Sequence, residues 1–371
     1  MGTSHRIHWL DAARAFAIIS VVMCHSVESV YTFDVESIGT LSLASRIIAF
    51  CGFTFGRIGV PLFLLMTGYL LLDRDWDSDA MMTFWKRRWL PLLLCVESWI
   101  VLYSVFLYAT GGAGNISVPK VIRCMLFVDG VDMGHFWYVP MIVGLYLFLP
   151  IMGAALRHID PRTIAVPLVV LGIFAFVVPI VIHVFAALKI PIELAVRLDF
   201  GYSGGVYGIY LLCGWCAKRG VFKKYTVPVL ALTALILFVG CVEFQVWCYG
   251  NGHAYNIWYT NALLLLCGIS AFELFSRLPY HLFVNQGRHK NGEPDSTLFG
   301  RICYLLSYYS FAIYLVHFPI QILLRPYIEQ IPTIMPVQTT IAFCSVFVSS
   351  ALVSWVLSKI PLLGKPLLYL K

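Results

Sequence analysis

Long apolar stretches separated by short polar segments follow one another along almost the whole chain. A stretch of about 20 apolar residues suffices to cross a bilayer as a helix. Ten stretches qualify as predicted spans, at residues 8–30, 47–72, 89–109, 136–156, 164–188, 204–217, 227–248, 257–275, 302–324 and 335–357. The sixth of these is short and rich in glycine. The pattern predicts an all-α integral membrane protein with about ten transmembrane helices.

Composition agrees with a membrane protein that has no separate soluble domain. Hydrophobic residues make up 60% of the 371 residues and only 12% are charged, which is about half the charged fraction of a typical soluble protein. We therefore expect one membrane domain over residues 1–371. The 11 cysteines are scattered through apolar segments, so they are predicted to pack in the interior and not to form disulfides.

The distribution of positive charge predicts which ends of the spans face the cytoplasm, where Lys and Arg collect. If the spans alternate and the N terminus is cytoplasmic, 18 of the 26 Lys and Arg residues lie on the inner side and 6 on the outer side, while Arg14 and Arg57 fall inside spans. Both termini are therefore predicted to be cytoplasmic, in the cell membrane. The net charge of +7 reflects this topology, and no nucleic-acid partner is expected. The polar inner loop 287–296 is predicted to be a mobile connector.

The first span carries ionisable residues at membrane depth. A charged side chain near the middle of a membrane helix costs about 2.5 to 3.5 kcal/mol, so such residues usually face a protein interior or a water-filled cavity. Arg14 and His25 lie on nearly the same face of a helix, about 16 Å apart along its axis. Asp11 and Glu28 each stand one helical turn from one of them. Either Asp11 and Arg14 form a neutralised pair beside a structural histidine, or the helix carries a functional site.

Other cations at or near membrane depth present a similar choice. Arg57 lies deep in the second span without an acid in its own helix, so it either pairs with another helix or binds an anionic ligand. Arg87 and Arg88, within FWKRRW, are either a positive-inside anchor or a phosphate clamp at the mouth of a pocket. The spans are expected to enclose a polar cavity.

Three histidines, His25, His135 and His317, are predicted to reach a similar depth in the outer leaflet. His135 opens the fourth span beside Trp137 and Tyr138, and the ninth span carries Tyr314 and His317. Each histidine alone is more often structural, but a shared level favours a common site. Zinc would be a conceivable ligand, yet the three lack any short-range ligand spacing, so no metal is expected. No H-E-x-x-H, G-x-S-x-G, P-loop or dinucleotide-binding motif is present.

The first span begins with LDAAR, and its Arg14 and His25 stand as R-x10-H. This pattern resembles the signature of the acyltransferase-3 membrane family of O-acyltransferases. Four further blocks agree in order along the chain: GVPLFLLMTGYLL at 59–71, KRR at 86–88, HFWYVPMIVGLYLFLPI at 135–151 and SFAIYLVHFPI at 310–320. The first and third of these blocks look most like the enterobacterial common antigen O-acetyltransferase subgroup.

The resemblance implies about ten membrane helices and the transfer of an acyl group, usually acetyl, from cytoplasmic acyl-CoA to a hydroxyl of an exported glycan or a lipid-linked sugar. The chain ends soon after its tenth span, without the fused extracytoplasmic esterase-like domain of some members. We therefore expect the membrane domain to complete the transfer unaided. A transporter or flippase with a polar central cavity and a non-catalytic membrane scaffold are the alternatives.

Under this resemblance each candidate residue has an expected role. His25 is the expected base, or it carries the acyl group itself, and Glu28 orients it. Arg14 is expected to serve both catalysis and donor binding. The phosphates of acetyl-CoA are expected to meet a set of cations, Arg14, Arg57, Arg87 and Arg88. The acceptor side is expected to be lined by rings that can pack against sugar faces, those of His135, Trp137, Tyr138, Tyr314 and His317.

Overall fold

The computed structural model describes residues 6–111, 116–191, 201, 204–290 and 293–370, so that Arg197 and Lys371, which entered the charge count, lie outside it. Most of this part is helical. The helices are α1 His8–Val30, α2 Val35–Thr40, α3 Leu43–Arg57, α4 Gly59–Leu71, α5 Ser78–Phe84, α6 Leu90–Ala109, α7 Val118–Met125, α8 Tyr138–Leu156, α9 Ala165–Gly172, α10 Val178–Ala187, α11 Gly205–Lys218, α12 Val227–Gly250, α13 Ala262–Ser276, α14 Leu298–Glu329, α15 Met335–Leu357 and α16 Gly364–Leu367. π-Helical turns at Trp85–Trp89 and Ile173–Val177 join α5 to α6 and α9 to α10.

Within the described residues, eight helical segments are long and apolar enough to cross a membrane, which confirms the predicted all-α membrane protein. The other two predicted spans are the shorter helices α11, with 14 residues, and α13, with 15. Both pack against α4. The prediction started the eighth span at residue 257, but α13 begins at Ala262. The side chain of Asn261 caps it there by accepting hydrogen bonds from the amides of Leu263 and Leu264.

The first helix lies at the centre of the bundle. It packs against α3, α4, α13, α14 and α15. In its most apolar stretch 72% of the residues are buried, whereas in the corresponding stretch of α12 only 17% are. Glycines let the second span touch it directly: a Cβ at Gly56 would lie 2.5 Å from the Cα of Cys24, and one at Gly59 would lie 2.5 Å from the carbonyl oxygen of Ala17. Such close approach through small residues is typical of helix packing in membranes. Most of α1 therefore faces protein and not lipid.

A break at Ile58 divides the second predicted span into α3 and α4. Pro61, in the first turn of α4, has no amide hydrogen and cannot continue the hydrogen-bond ladder of α3. Arg57 is consequently the last residue of α3. From this helix end its side chain reaches Glu28 of α1.

Loops that were predicted on the inner side lie together at one end of the bundle. Asp73, after α4, accepts a hydrogen bond of 2.6 Å from Arg219, after α11. Arg219 also donates to the carbonyl oxygen of Arg157, after α8, and Arg157 pairs with Asp75. At the opposite end α12 contacts the segment that follows α1 through the Tyr249 hydroxyl. These loops therefore alternate between the two ends of the bundle as predicted.

The inner loop that was predicted to be a mobile connector forms a β-hairpin. Strand β1, Val284–Lys290, pairs antiparallel with β2, Glu293–Ser296. Asn291 and Gly292, between the strands, lie outside the described residues, but Asn-Gly is a sequence that favours two-residue hairpin turns. The expected connector is therefore an antiparallel hairpin, whose polar composition had suggested irregular structure.

Candidate active site

A chain of three ionisable side chains joins α1 to α3. Nδ1 of His25 lies 2.7 Å from Oε2 of Glu28, and Nη2 of Arg57 donates to the other carboxylate oxygen at 2.9 Å. An ionised carboxylate can only accept hydrogen bonds, so Nδ1 of His25 carries the proton. In the neutral imidazole the second ring nitrogen of His25, Nε2, then holds a lone pair. Sequence spacing predicted the contact between His25 and Glu28, and the structure confirms it.

Arg57 is held in an aromatic cage as well as by Glu28. It is only 6% exposed, and its guanidinium lies 4.6 Å from the ring centres of both Phe53 and Trp258. One of its nitrogens is also 3.4 Å from the hydroxyl of Tyr259. Of the two alternatives left open by the sequence, this geometry is that of an ion pair between helices. The expected role of Arg57 in holding a donor phosphate gains no support from it.

Three histidines meet beside the ion pair of Glu28 and Arg57: His25 in α1, His317 in α14 and His135 in the turn that precedes α8. The ring centres of His25, His135 and His317 are 5.0 to 6.3 Å apart, and His135 and His317 are 1% and 0% exposed. The predicted common level of the three residues is therefore confirmed. No group of three or more His, Cys, Asp or Glu side chains within the described residues is arranged to hold a metal ion.

Hydrogen bonds fix the tautomers of the other two histidines of the cluster, His135 and His317. Nδ1 of His317 donates to the carbonyl oxygen of Tyr314 at 2.6 Å, so its Nε2 is unprotonated. The Tyr103 hydroxyl gives its hydrogen to the Leu315 carbonyl, so Nε2 of His135 must donate to the Tyr103 oxygen. Nδ1 of His135 and Nε2 of His317 are consequently acceptors, and both are buried without a partner among the described residues. Together with Nε2 of His25, the cluster holds three ring nitrogens with available lone pairs.

A cavity of about 580 Å³ runs along α1 from one end of the bundle towards this cluster. Its exposed end carries Arg74 and Arg88, and Arg14 lies further in, where it donates to the Ser307 hydroxyl at 2.9 Å. Aromatic rings make up much of the remaining wall, those of Phe63, Phe84, Tyr138, Tyr146, Phe311, Tyr314 and Tyr369. Arg14 therefore faces a cavity, as the sequence predicts, and it does not pair with Asp11, which bonds to Arg6 at 2.8 Å instead.

Tyr314 connects the cavity to the histidines. It lines the cavity, its hydroxyl donates to the carbonyl oxygen of His135 at 2.5 Å, and its own carbonyl oxygen accepts from His317. Its ring centre lies 5.6 Å from that of Tyr138. Tyr314 therefore both lines the cavity and contacts the histidine cluster.

Two of the predicted site residues lie apart from both features. Arg87 is exposed on the π-helical turn and is not among the described residues that line the cavity. Trp137 packs into a group of rings with centres 5.3 to 5.6 Å away, those of Tyr207, Trp258 and Tyr259. Through Trp258 and Tyr259, Trp137 belongs to the cage around Arg57.

Several residues that build the site were not predicted from the sequence. Nε2 of Gln321 donates to the carbonyl oxygen of His25 at 2.7 Å. This residue could have been found, because it is a polar residue in an apolar span one turn after His317. Ser307, Tyr103 and Tyr259 gave no such signal, since hydroxyl-bearing residues are common in membrane helices and at their ends.

These features define an integral membrane protein in which a buried histidine, paired with a partly exposed glutamate, stands near a cavity lined by arginines. The chain belongs to the acyltransferase-3 family: the family profile, described as an acyltransferase domain, matches residues 7–359. The resemblance stated from the sequence is thereby confirmed at the family level.

Curated proteins resemble shorter parts of the chain. Acyltransferase MdmB of Streptomyces mycarofaciens is 29% identical over 105 residues, which are 27% of this chain and 25% of that protein. An amino-acid racemase of Enterococcus faecalis is 28% identical over 148 residues, 38% of this chain and 19% of that protein. The chain thus matches a quarter or less of the length of these relatives. No solved structure gives a significant match.

Proposed function

We propose that the chain is an O-acyltransferase that moves an acyl group, in the simplest case acetyl, from acyl-CoA to a hydroxyl of a cell-surface glycan or lipid-linked sugar. One observation carries the proposal: Nδ1 of His25 bonds to Glu28, so that Nε2 is available to take a proton. A hydroxyl is a weak nucleophile and needs such a base to attack an acyl carbonyl. Family membership supports acyl transfer.

In the proposed reaction the acceptor hydroxyl gives its proton to Nε2 of His25 while its oxygen attacks the thioester carbonyl. The C–S bond breaks, the new C–O bond remains as an ester, and the thiolate takes the proton from Nε2 and leaves as a thiol. Glu28 stabilises the transient imidazolium, and Arg57 balances the charge of Glu28. In a second route, Nε2 attacks the thioester carbonyl, the C–S bond breaks and the acyl group forms an acyl-imidazole. The acceptor hydroxyl then attacks this carbonyl, the C–N bond breaks, and the proton of the hydroxyl passes to the CoA thiolate.

The cavity supports acyl-CoA as the donor substrate. Its volume of about 580 Å³ lies within the range of about 300 to 1,000 Å³ that is usual for ligand pockets. Guanidinium groups bind phosphates through paired hydrogen bonds, which suits Arg88 at the exposed end, with Arg87 beside it. Arg14 and His25 are about 16 Å apart along α1, a length that suits a pantetheine arm.

The histidine cluster supports a hydroxyl-bearing acceptor. The buried lone pairs on His135 and His317 call for hydrogen-bond donors, and the hydroxyls of a sugar supply them. Trp137 presents an aromatic ring of the kind that packs against sugar faces. We retain His135, Trp137, Tyr138, Tyr314 and His317 as the acceptor-side residues of this proposal.

We assign the end of the bundle that carries Asp73, Arg157 and Arg219 to the cytoplasm, with both termini on that side of the cell membrane. The assignment is supported by the excess of Lys and Arg at this end, 18 against 6 in the predicted topology. The donor cavity then opens to the cytoplasm, where acyl-CoA is made, and the histidines lie towards the outer leaflet.

The experiment uses purified protein in nanodiscs, supplied with radiolabelled acetyl-CoA, and measures the release of CoA thiol and the transfer of label. His25→Ala is expected to lower the rate at least about a hundredfold, the usual contribution of a general base. His158→Ala, at an exposed histidine after α8, is the matched control and should keep full activity. Undiminished activity of His25→Ala would contradict the proposal.

A transporter or flippase would use the same cavity, and the same preparation separates the two functions. Flux of a glycan lipid across proteoliposomes without acyl transfer would favour the transporter.

A deletion strain would identify the acceptor. A cell that lacks the gene should carry a surface glycan that is lighter by an acetyl group, and mass spectrometry of that glycan would show which sugar has lost it.

A further inference from the structure

The segment after the last long helix is fixed against the bundle. α16 and the residues up to 370 pack on α6, where Nε1 of Trp99 and Sγ of Cys95 both donate to the carbonyl oxygen of Leu367, at 2.8 and 3.1 Å. Leu368 is completely buried. A Cβ at Gly364 would lie 2.1 Å from the carbonyl oxygen of Leu357, so the chain passes that helix end in backbone contact.

Tyr369 brings this segment into the wall of the donor cavity. Its hydroxyl donates to the carbonyl oxygen of Arg88 at 3.0 Å, and its ring stands edge-on to that of Phe311 with centres 5.8 Å apart. Its φ of +52° lies in the left-handed region, which residues other than glycine rarely adopt. The backbone therefore holds the Tyr369 ring at the cavity in a conformation that the surrounding contacts must maintain.

Aromatic rings and arginines lie together around Tyr369. Arg74 and Arg88 are exposed at the same end of the cavity, whereas Arg14 is partly buried further in. Aromatic rings stack on purine bases, and guanidinium groups pair with phosphates. The exposed end thus combines rings for a base with cations for a pyrophosphate.

We propose that the C-terminal segment 364–370 forms part of the donor site and that Tyr369, beside Arg88, receives the adenine nucleotide of acyl-CoA. This inference rests on the proposed function, because it names which part of the donor meets which part of the chain. Tyr369 then acts on donor binding and leaves the proton transfer at His25 unchanged. Substitution of Tyr369 should therefore not change the binding of donors that lack the nucleotide.

The test compares two donors, acetyl-CoA and acetyl-pantetheine, in full-length protein in nanodiscs. Tyr369→Ala is expected to raise KM for acetyl-CoA about tenfold, since a stacked base contributes about that much binding, and to leave kcat unchanged. KM for acetyl-pantetheine should stay the same. Tyr369→Phe keeps the ring and should behave nearly like the wild-type protein. Tyr327→Ala, at a tyrosine that is 72% exposed near the end of α14, is the matched control.

Each other outcome would overturn the inference in a distinguishable way. Equal changes in KM for both donors would mean that Tyr369 only supports the fold, and no change would mean that the segment lies outside the donor site. Thermal unfolding of each variant shows whether the fold is kept, and Tyr369→Phe provides the comparison if Tyr369→Ala unfolds. A wild-type protein that neither binds nor uses acyl-CoA would overturn the proposed function and this inference together.

Discussion

Glu28 accepts hydrogen bonds from two side chains of different chemistry. His25 needs its carboxylate to hold the proton on Nδ1, and Arg57, buried among aromatic rings, needs its negative charge. Because one carboxylate serves both, the loss of Glu28 affects catalysis and stability through separate partners. The two effects can be measured separately.

Glu28→Gln tests this double role. The neutral amide orients His25 less well and stabilises an imidazolium less, so the rate of acetyl transfer should fall about a hundredfold with little change in KM for acetyl-CoA. Arg57 then becomes an unpaired buried charge, which costs about 3 to 5 kcal/mol. The double variant Glu28→Gln/Arg57→Met should recover stability in thermal unfolding but not activity. Glu36→Gln, at an exposed position in α2, is the control, and recovery of activity in the double variant would count against the assignment.

The unpartnered Nε2 of His317 gives a second prediction for a single side chain. His317→Phe keeps a ring of similar size but removes both the Nε2 acceptor and the Nδ1 donor to the Tyr314 carbonyl oxygen. A sugar hydroxyl that donates to Nε2 would then lose one hydrogen bond, worth about 1 to 1.5 kcal/mol. Transfer to the acceptor should fall about tenfold, while binding of CoA, measured by calorimetry, should not change. Weaker CoA binding in this variant would mean that His317 acts through the cavity wall.

Single site residues could be predicted from the sequence more reliably than the partners to which they bond. His25 and Glu28 could be paired because a helix fixes the distance between positions three apart. Arg57 could not be paired, since its partner lies on another helix and the span that carries it appeared continuous. The lone pairs on His135 and His317 were also out of reach, because they depend on Tyr103 and on carbonyl groups whose positions only the fold defines.

Among the helices, the crossing of the second span over α1 controls the site. Arg57 reaches Glu28 because it is the last residue of α3, and α3 lies close to α1 because Gly56 has no side chain. The glycines in GRIGVP suit close helix packing, but the prediction of an unbroken span 47–72 missed the break. The hydrophobic pattern does not indicate the break at Ile58, because apolar residues continue before and after it.

Gly56→Ala should disturb this crossing. The added methyl group would meet the backbone of Cys24 at 2.5 Å, which cannot give way as a side chain can, so α3 must shift. Overpacking of this kind costs about 1 to 3 kcal/mol, and the shift should also lower activity by drawing Arg57 away from Glu28. Gly144→Ala, in α8, meets no described atom within 4 Å and should leave the unfolding temperature unchanged or raise it. Equal effects of the two substitutions would exclude the crossing as the cause.

For the molecule as a whole, the sidedness of the loops can be measured directly. In a Cys344→Ser background, which removes the exposed native cysteine, Lys120→Cys should react with a membrane-impermeant maleimide in intact cells. Lys223→Cys should react only after lysis, because the loop after α11 is assigned to the cytoplasm. A permeant maleimide labels both and serves as the control. The reverse pattern would place the donor cavity on the wrong side for acyl-CoA.

The overall architecture was the most predictable level of the structure. Bilayer thickness fixes the length of a spanning helix, so apolar runs such as 8–30 and 335–357 could be located to within a few residues. The contribution of the C-terminal segment to the cavity could not be predicted. Leu367 contributes one carbonyl oxygen and Tyr369 one ring. A short segment after a last span carries no pattern that indicates where it folds.

Tyr314 has one further consequence, for the order and cooperativity of substrate binding. Because the same residue forms part of the donor cavity and bonds to both buried histidines, any displacement of it by one substrate changes the environment of the other. Thermodynamic linkage then requires reciprocity: the factor by which bound CoA changes the affinity for the acceptor must equal the factor by which the acceptor changes the affinity for CoA. Replacement of Tyr314 by Phe, which removes only the bond to His135, should bring both factors closer to one by the same amount.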